Sequence, residues 1–292
     1  MSSIVEINNL SKRYKDFFLD GITFSLPKGM ILGIIGPNGA GKTTTIKLIM
    51  NMIKADAGDI RLLGMSYPKD EIRIKNRIGY VGEEQTFYAD KTVAWLSKYI
   101  SSFYENWDTN GYQRMLNDFS ISRTKKAGDL SKGQKVKLAL ALALSHHPEL
   151  AILDEPTSGL DPIVRRELLK ILRRFTESGE KSVIIASHIT DDIARTADVI
   201  LYMIKGRVAL CAPKEDLLDS WKWIHFKKGA LPDETARILF RVKEHMFGSE
   251  GLTDRYQDLK KDLAPGMEIK DIKIENASLD DILLALVEGG SQ

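Results

Sequence analysis

At 292 residues the chain is long enough for one large or two ordinary domains with a substantial core. Its 43% hydrophobic and 28% charged residues are ordinary globular usage, which excludes disordered, collagen-like and low-complexity classes. Lys plus Arg exceeds Asp plus Glu by only 42 − 40 = 2, with the signs interspersed, so the sequence offers no nucleic-acid stripe or polybasic membrane anchor, and no nucleic-acid partner is expected.

The first ten residues already mix Glu6 and Asn8 with Ile4, Val5 and Ile7 and lack the apolar stretch of a secretory signal. Ile4 to Ile7 reads as a short strand, and Gly21 to Leu26 alternates before a turn at Pro27-Lys28-Gly29. Met30 to Ile35 is a continuous apolar run of the kind found in buried parallel strands; a Gly-rich loop and a helical pattern over Thr43 to Met52 follow it. From about Asp90 to Leu144 the pattern is mainly helical, with Trp95, Leu96, Tyr99, Ile100 and Phe103 three and four residues apart. Leu150 to Leu153 and Ser182 to Ala186 are two more buried-strand candidates, separated by a helix over Ile163 to Thr176. These elements predict an α/β core with a largely parallel sheet. The longest apolar stretches, Met30 to Ile35 and Leu138 to Leu144, are far shorter than the roughly 20 residues that span a bilayer. The lone Cys211 permits no internal disulfide and fits a reducing cytoplasm. Beyond Pro213 the composition changes: Trp221-Lys222-Trp223 and turns at Lys227-Lys228-Gly229 and Leu231-Pro232-Asp233 mark a small appended domain.

Gly36-Pro37-Asn38-Gly39-Ala40-Gly41-Lys42-Thr43 fits G-x-x-x-x-G-K-[ST], directly after a predicted strand and at the opening of a predicted helix. Glycines let such a loop curl so that successive N–H groups face inward, and the helix N-terminus adds partial positive charge; together they make a nest for phosphates. Lys42 would reach the β- and γ-phosphates, the Thr43 hydroxyl suits Mg²⁺, and Thr44 lies close to the α-phosphate. The strand Leu150 to Leu153 ends in Asp154 and Glu155, which parallel topology places at the same sheet edge. Asp154 can hold Mg²⁺ directly or through water, and Glu155 can polarise an attacking water as general base.

Between these sites stands Leu130-Ser131-Lys132-Gly133-Gln134, and after them come Ser158-Gly159-Leu160-Asp161 and, behind a strand, His188. In this order the motifs resemble the nucleotide-binding subunits of ABC transporters over roughly residues 4–212. The resemblance implies a P-loop NTPase with a RecA-like core, an N-terminal antiparallel β-subdomain, a helical insertion at about 84–147, and an accessory domain over 213–292. It also implies ATP and Mg²⁺ as ligands. Tyr14 matches the aromatic that stacks on adenine in that family. Ser131, Gly133 and Gln134, at the start of the following helix, form a second anion site that closes over the γ-phosphate of another subunit. Two chains would then sandwich two ATP molecules head to tail, with Asp161 aligning the partner and His188 contacting the γ-phosphate and orienting water.

Two positions depart from the family pattern. In Ile78-Gly79-Tyr80-Val81-Gly82-Glu83, Glu83 occupies the place of the Q-loop glutamine near Mg²⁺, with Gln85 as the other candidate; Lys132 stands where glycine is common. A carboxylate can accept from metal-bound water, and it adds negative charge beside phosphate. The final segment, with Ser278 as N-cap of a short helix, resembles the tail of ABC-2-type exporter subunits. The expectation is therefore an ATP-hydrolysing subunit, peripheral on the inner face of the cell membrane, that drives a separate permease as an exporter. A soluble ABC-type switch acting on a cytoplasmic assembly is the alternative.

Overall fold

Alternation decides the first layer. In Ser3–Arg13 (β1) Ile4, Val5, Ile7 and Leu10 are buried, and in Phe18–Pro27 (β2) Leu19 is buried and then, strictly alternating, Ile22, Phe24 and Leu26, so both strands turn apolar side chains to the core. With Ala57–Leu62 (β4) and Met65–Ser66 (β5) they form an antiparallel sheet in the order β2-β1-β4-β5. The coordinates are a computed structural model, in which residues 2–226, 239–245, 248–257 and 272–289 are described. The turns expected at Lys227-Lys228-Gly229 and Leu231-Pro232-Asp233 lie outside these residues.

Continuous apolar runs decide the second layer. Ile31–Ile35 (β3), Leu150–Asp154 (β7) and Ser182–Ser187 (β8) are buried at every position, as strands covered on both faces must be. With Ile78–Val81 (β6), Val199–Ile204 (β9) and Arg207–Pro213 (β10) they build a six-stranded sheet in the order β10-β9-β3-β8-β7-β6. β9, β3, β8, β7 and β6 are parallel to their neighbours, so their C-terminal ends share one edge. Pairing of Ile35 with Ser187, Asp154 with Ala186 and Val81 with Leu153 brings the residues just beyond each strand to nearly the same level. One apolar cluster, including Val5, Ile22, Leu32, Ile46, Leu150 and Leu201, joins the two sheets.

Helices cover the parallel sheet: Lys42–Ile49 (α1), Glu71–Lys75 (α2), Pro162–Thr176 (α6) and Thr190–Thr196 (α7). Residues 84–147 contain Val93–Ser101 (α3), Thr109–Asp118 (α4), a 3-10 turn at Ala127–Asp129 and Lys132–Leu144 (α5). The three- and four-residue spacing predicted here falls on α3, whose inward face is Val93 and Leu96. Trp95, Tyr99 and Phe103 stay on the outside, and with Tyr88 their rings meet in series, Tyr88 edge-on to Trp95, Trp95 stacked on Tyr99 and Tyr99 edge-on to Phe103, at centroid distances of 5.9, 5.2 and 5.3 Å.

The chain divides into two compact units, Met1–Cys211 and Ala212–Gln292. The second has Lys214–Ser220 (α8), strands Lys222–Phe226 (β11), Phe240–His245 (β12), Gly248–Thr253 (β13) and Ile272–Asn276 (β14), and Leu279–Gly289 (α9). Its strands form a sheet in the order β12-β13-β11-β14, in which β11 pairs antiparallel with both β13 and β14. Ser278 caps α9: its hydroxyl accepts from the Asp281 N–H at 3.1 Å, and Asp281 Oδ2 accepts the Ser278 N–H at 2.9 Å.

Candidate active site

β3 delivers the chain to a loop that wraps the N-terminus of α1. Gly41, the residue before α1, has φ of +108°, a conformation open to glycine and strained for other residues, and this is what lets the loop turn back over the helix. Asn38, Gly39, Ala40, Gly41, Lys42, Thr43 and Thr44 line one wall of a cleft of about 520 Å³. Phe17, Glu83, Glu155, Ser158 and His188 complete it. Gly36 contributes its carbonyl oxygen, which accepts from Lys42 Nζ at 2.8 Å.

The opposite wall is built by strand ends. Glu155 follows β7 with φ of +47°, which costs a non-glycine residue roughly 1 kcal/mol. The turn is held by the Glu155 N–H donating to the Ala186 carbonyl of β8 at 2.9 Å. It directs the carboxylate to two partners: His188 Nδ1 at 2.7 Å from Oε2, and Lys42 Nζ at 3.3 Å from Oε1. The His188 backbone N–H also donates to Oε2, at 3.3 Å. Glu155 and Lys42 are both buried, so their attraction is little screened by water, whereas the His188 side chain is 45% exposed at the mouth.

Asp154 lies beneath this wall, 1% exposed. Burial pushes its carboxyl above the usual aspartate range, and the negative charges of Glu83 and Glu155 add to that; a hydrogen bond from the Thr43 side chain and the charge of Lys42 oppose it. Its Oδ1 is buried without a hydrogen-bond partner. A buried carboxylate oxygen that lacks a proton donor, beside a threonine hydroxyl, is a donor pair suited to a hard divalent cation. Among the described residues there is no cluster of three His, Cys, Asp or Glu, so an ion held here would take its remaining ligands from water and phosphate, which is the habit of Mg²⁺.

Five residues singled out in the sequence are not in the cleft. Tyr14 stands 44% exposed on the β1–β2 turn, and Phe17, three residues on, lines the cleft instead. The Tyr14 N–H donates to the Phe17 carbonyl at 2.8 Å, a tight turn in which the two rings occupy different positions. Ser131 and Gln134 bond each other as a capping box at the start of α5, at 3.2 Å in both directions, and Gly133 lies against Val164 of α6. Asp161 caps α6 by accepting from the Ile163 and Val164 N–H groups at 3.0 and 3.1 Å. The only sequence signal for Phe17 is that it is another aromatic in the same hairpin turn as Tyr14.

The comparisons fit this geometry. A family model described as ABC transporter matches residues 19–158. The bacitracin transport ATP-binding protein BcrA of Bacillus licheniformis is 29% identical, over 100% of this chain and 99% of its own length. The Nod factor export ATP-binding protein I of Burkholderia orbicola (strain AU 1054) is 34% identical over 70% of this chain and 68% of its own. A solved ATP-binding subunit of an ABC transporter superposes with a TM-score of 0.68 at 25% identity, covering 74% of this chain and 92% of that one. The fold is thus that of a P-loop ATP-binding cassette, with a parallel-rich sheet and an antiparallel β-subdomain. The chain belongs to the ABC transporter family of ATP-binding proteins.

Proposed function

We propose that this chain hydrolyses MgATP and uses the cycle to drive a separate membrane permease, in the export direction, from the inner face of the cell membrane. The observation that supports it most is the convergence of the phosphate loop with the Lys42–Glu155–His188 group in one cleft. Loop N–H groups and Lys42 neutralise the phosphates, with Thr44 adding a hydroxyl. Thr43 and Asp154 would hold Mg²⁺, with Glu83 beside them at the cleft wall. The ion, when bound, withdraws charge from the phosphate oxygens and favours departure of ADP.

Glu155 accepts the proton of the attacking water, and the His188 ring fixes the carboxylate through Oε2. Phe17 offers the apolar wall on which a base can stack; we assign it the place first read for Tyr14.

Ser131, Gly133, Gln134 and Asp161 stand away from the chain's own cleft, which supports a head-to-tail dimer in which each chain serves the other's nucleotide. A second groove of about 450 Å³, largely apolar and lined by residues such as Met52, Tyr80, Phe87, Ile100, Phe103 and Leu142, supports docking of a permease segment beside Gln85. No helix among the described residues is long and apolar enough to cross a membrane. Export as the direction is supported by the name of the Nod factor export relative; the bacitracin relative is named for transport alone.

Glu155→Gln tests the assignment. Turnover should fall about a hundredfold or more while MgATP binding persists, and size-exclusion chromatography should show an ATP-dependent dimer. Near-normal phosphate release by the variant would remove Glu155 from the chemistry.

A further inference from the structure

Lys132 is the first residue of α5, in the segment between Ser131 and Gly133. A lysine at an exposed helix start ordinarily extends into water, where its charge is solvated. Here the side chain stays exposed but lies over the loop that follows β7. A Cβ built on Gly159 would lie 2.5 Å from Lys132 Nζ, 3.5 Å from Cε and 3.8 Å from Cδ, so the last three atoms of the lysine cover the Gly159 backbone. Gly159 has φ of +67°, and the absence of a side chain there gives both the turn and the space for the ammonium group.

The loop beneath the lysine is short and tightly wound. The Ser158 N–H donates to the Glu155 carbonyl at 3.2 Å, the Leu160 N–H to the Thr157 carbonyl at 3.2 Å, and Asp161 then caps α6. Consecutive turns of this kind leave little slack, so a displacement at Gly159 reaches Glu155 four residues earlier. A cavity of about 480 Å³ adjoins the same loop. Lys132 and Lys135 of α5 share it with Glu83, Glu84 and Glu155, so basic groups on the helix meet acidic groups on the core around one space. Glu83, Glu155 and Ser158 line this cavity and the nucleotide cleft alike.

We propose that Lys132 is a positioning residue for Glu155. Through Gly159 it holds the loop after β7 so that the carboxylate keeps its place against His188, and it thereby ties the rate of hydrolysis to the position of α5 in the same chain. This rests on the ATPase reading given above. Lys132 is not among the residues that line its own chain's nucleotide cleft; it acts through the backbone of residues 155–159.

The test compares steady-state MgATP hydrolysis by the full chain and by Lys132→Met, Lys132→Arg, Gly159→Ala and the Lys132→Met/Gly159→Ala double variant. Lys132→Met should lower kcat about fivefold with KM for ATP within about twofold, because the loop and not the phosphate nest is disturbed. Lys132→Arg, which keeps a long cationic tail, should recover at least about half of the lost rate. Gly159→Ala should lower kcat both by displacing the ammonium group and by straining a backbone at φ of +67°, and adding Lys132→Met to it should cost clearly less than Lys132→Met costs in the unaltered chain, since the contact is already lost. An unchanged kcat in Lys132→Met, losses that multiply in the double variant, or a rise in KM at constant kcat would each overturn the proposal. Turnover lost in Glu155→Gln but intact in Lys132→Met would overturn this inference alone, whereas absence of turnover in the unaltered chain would overturn the ATPase reading and this inference with it.

Discussion

Asp154 shows what a single buried carboxyl demands of the fold. Its folded-state pKa lies above its unfolded value, mainly through burial, so the stability linked to it is fully present below the ordinary aspartate pKa and is lost as pH rises through the folded value. At neutral pH the ionised group therefore weighs against folding unless a cation joins it. Asp154→Asn should raise the thermal midpoint at pH 7 in the absence of Mg²⁺ and nucleotide, and should remove the further rise that Mg²⁺ gives at fixed ATP. Differential scanning calorimetry with and without Mg²⁺ checks both, and a lowered midpoint without ligand would contradict the argument. Asp154, Glu155 and Lys42 were legible in the sequence because each occupies a fixed offset from a buried strand, and parallel pairing converts offsets into a common edge. The choice between Tyr14 and Phe17 was not legible. Both are aromatic and three residues apart, and what separates them is the path of one turn, set by a backbone hydrogen bond that no side-chain pattern announces.

Among the elements, α5 serves two ends. Its first turn holds Ser131 and Gln134 in a capping box, a pattern visible as Ser-x-x-Gln in the sequence, so two residues of the ABC signature also hold their own helix together. Just past its last turn, His146 is 2% exposed, stacks on Tyr104 at 3.9 Å and contacts the Ile78 carbonyl of β6 through Nε2 at 3.1 Å. Burial lowers its pKa to about 4. The folded chain keeps the ring neutral while the unfolded chain protonates it near 6.5, so stability falls as pH drops below 6.5 and continues to fall until about 4. The expected slope is about 1.4 kcal/mol per pH unit, measurable by urea unfolding between pH 7 and 5. His146→Phe keeps a ring against Tyr104 and should flatten that slope even if it lowers stability at pH 7; an unchanged slope would assign it to other groups. The helical character of about Asp90 to Leu144 was legible from spacing, but its division was not. α3 stops at Ser101, and Asp108 starts α4 afresh by accepting the Gly111 N–H at 2.8 Å, a local bond that competes with one longer helix.

For the whole molecule, the position of Glu83 joins chemistry to coupling. It lines the nucleotide cleft, and Gln85, two residues later, lines the apolar groove to which we assign the permease. Glu83→Ala should reduce permease-stimulated hydrolysis severalfold while basal hydrolysis changes much less, because basal turnover draws on Asp154, Glu155 and His188 directly. Rates of the reconstituted complex and of the isolated chain decide this, and equal, unchanged rates would return the Q-loop role to Gln85. The α/β core was legible because uninterrupted apolar runs have few places to go other than the middle of a parallel sheet. The second unit was visible as a change of composition and as the helix that Ser278 caps, but its sheet was not, since β11, β12 and β14 carry partly or mostly exposed residues that resemble loop sequence. The row of rings from Tyr88 through Trp95 and Tyr99 to Phe103 has a consequence for how the protein must be made. A contiguous aromatic surface left in water invites like surfaces to meet, so chain synthesised in excess of whatever covers that face has a route to precipitation, and balanced production with a partner becomes a condition of solubility.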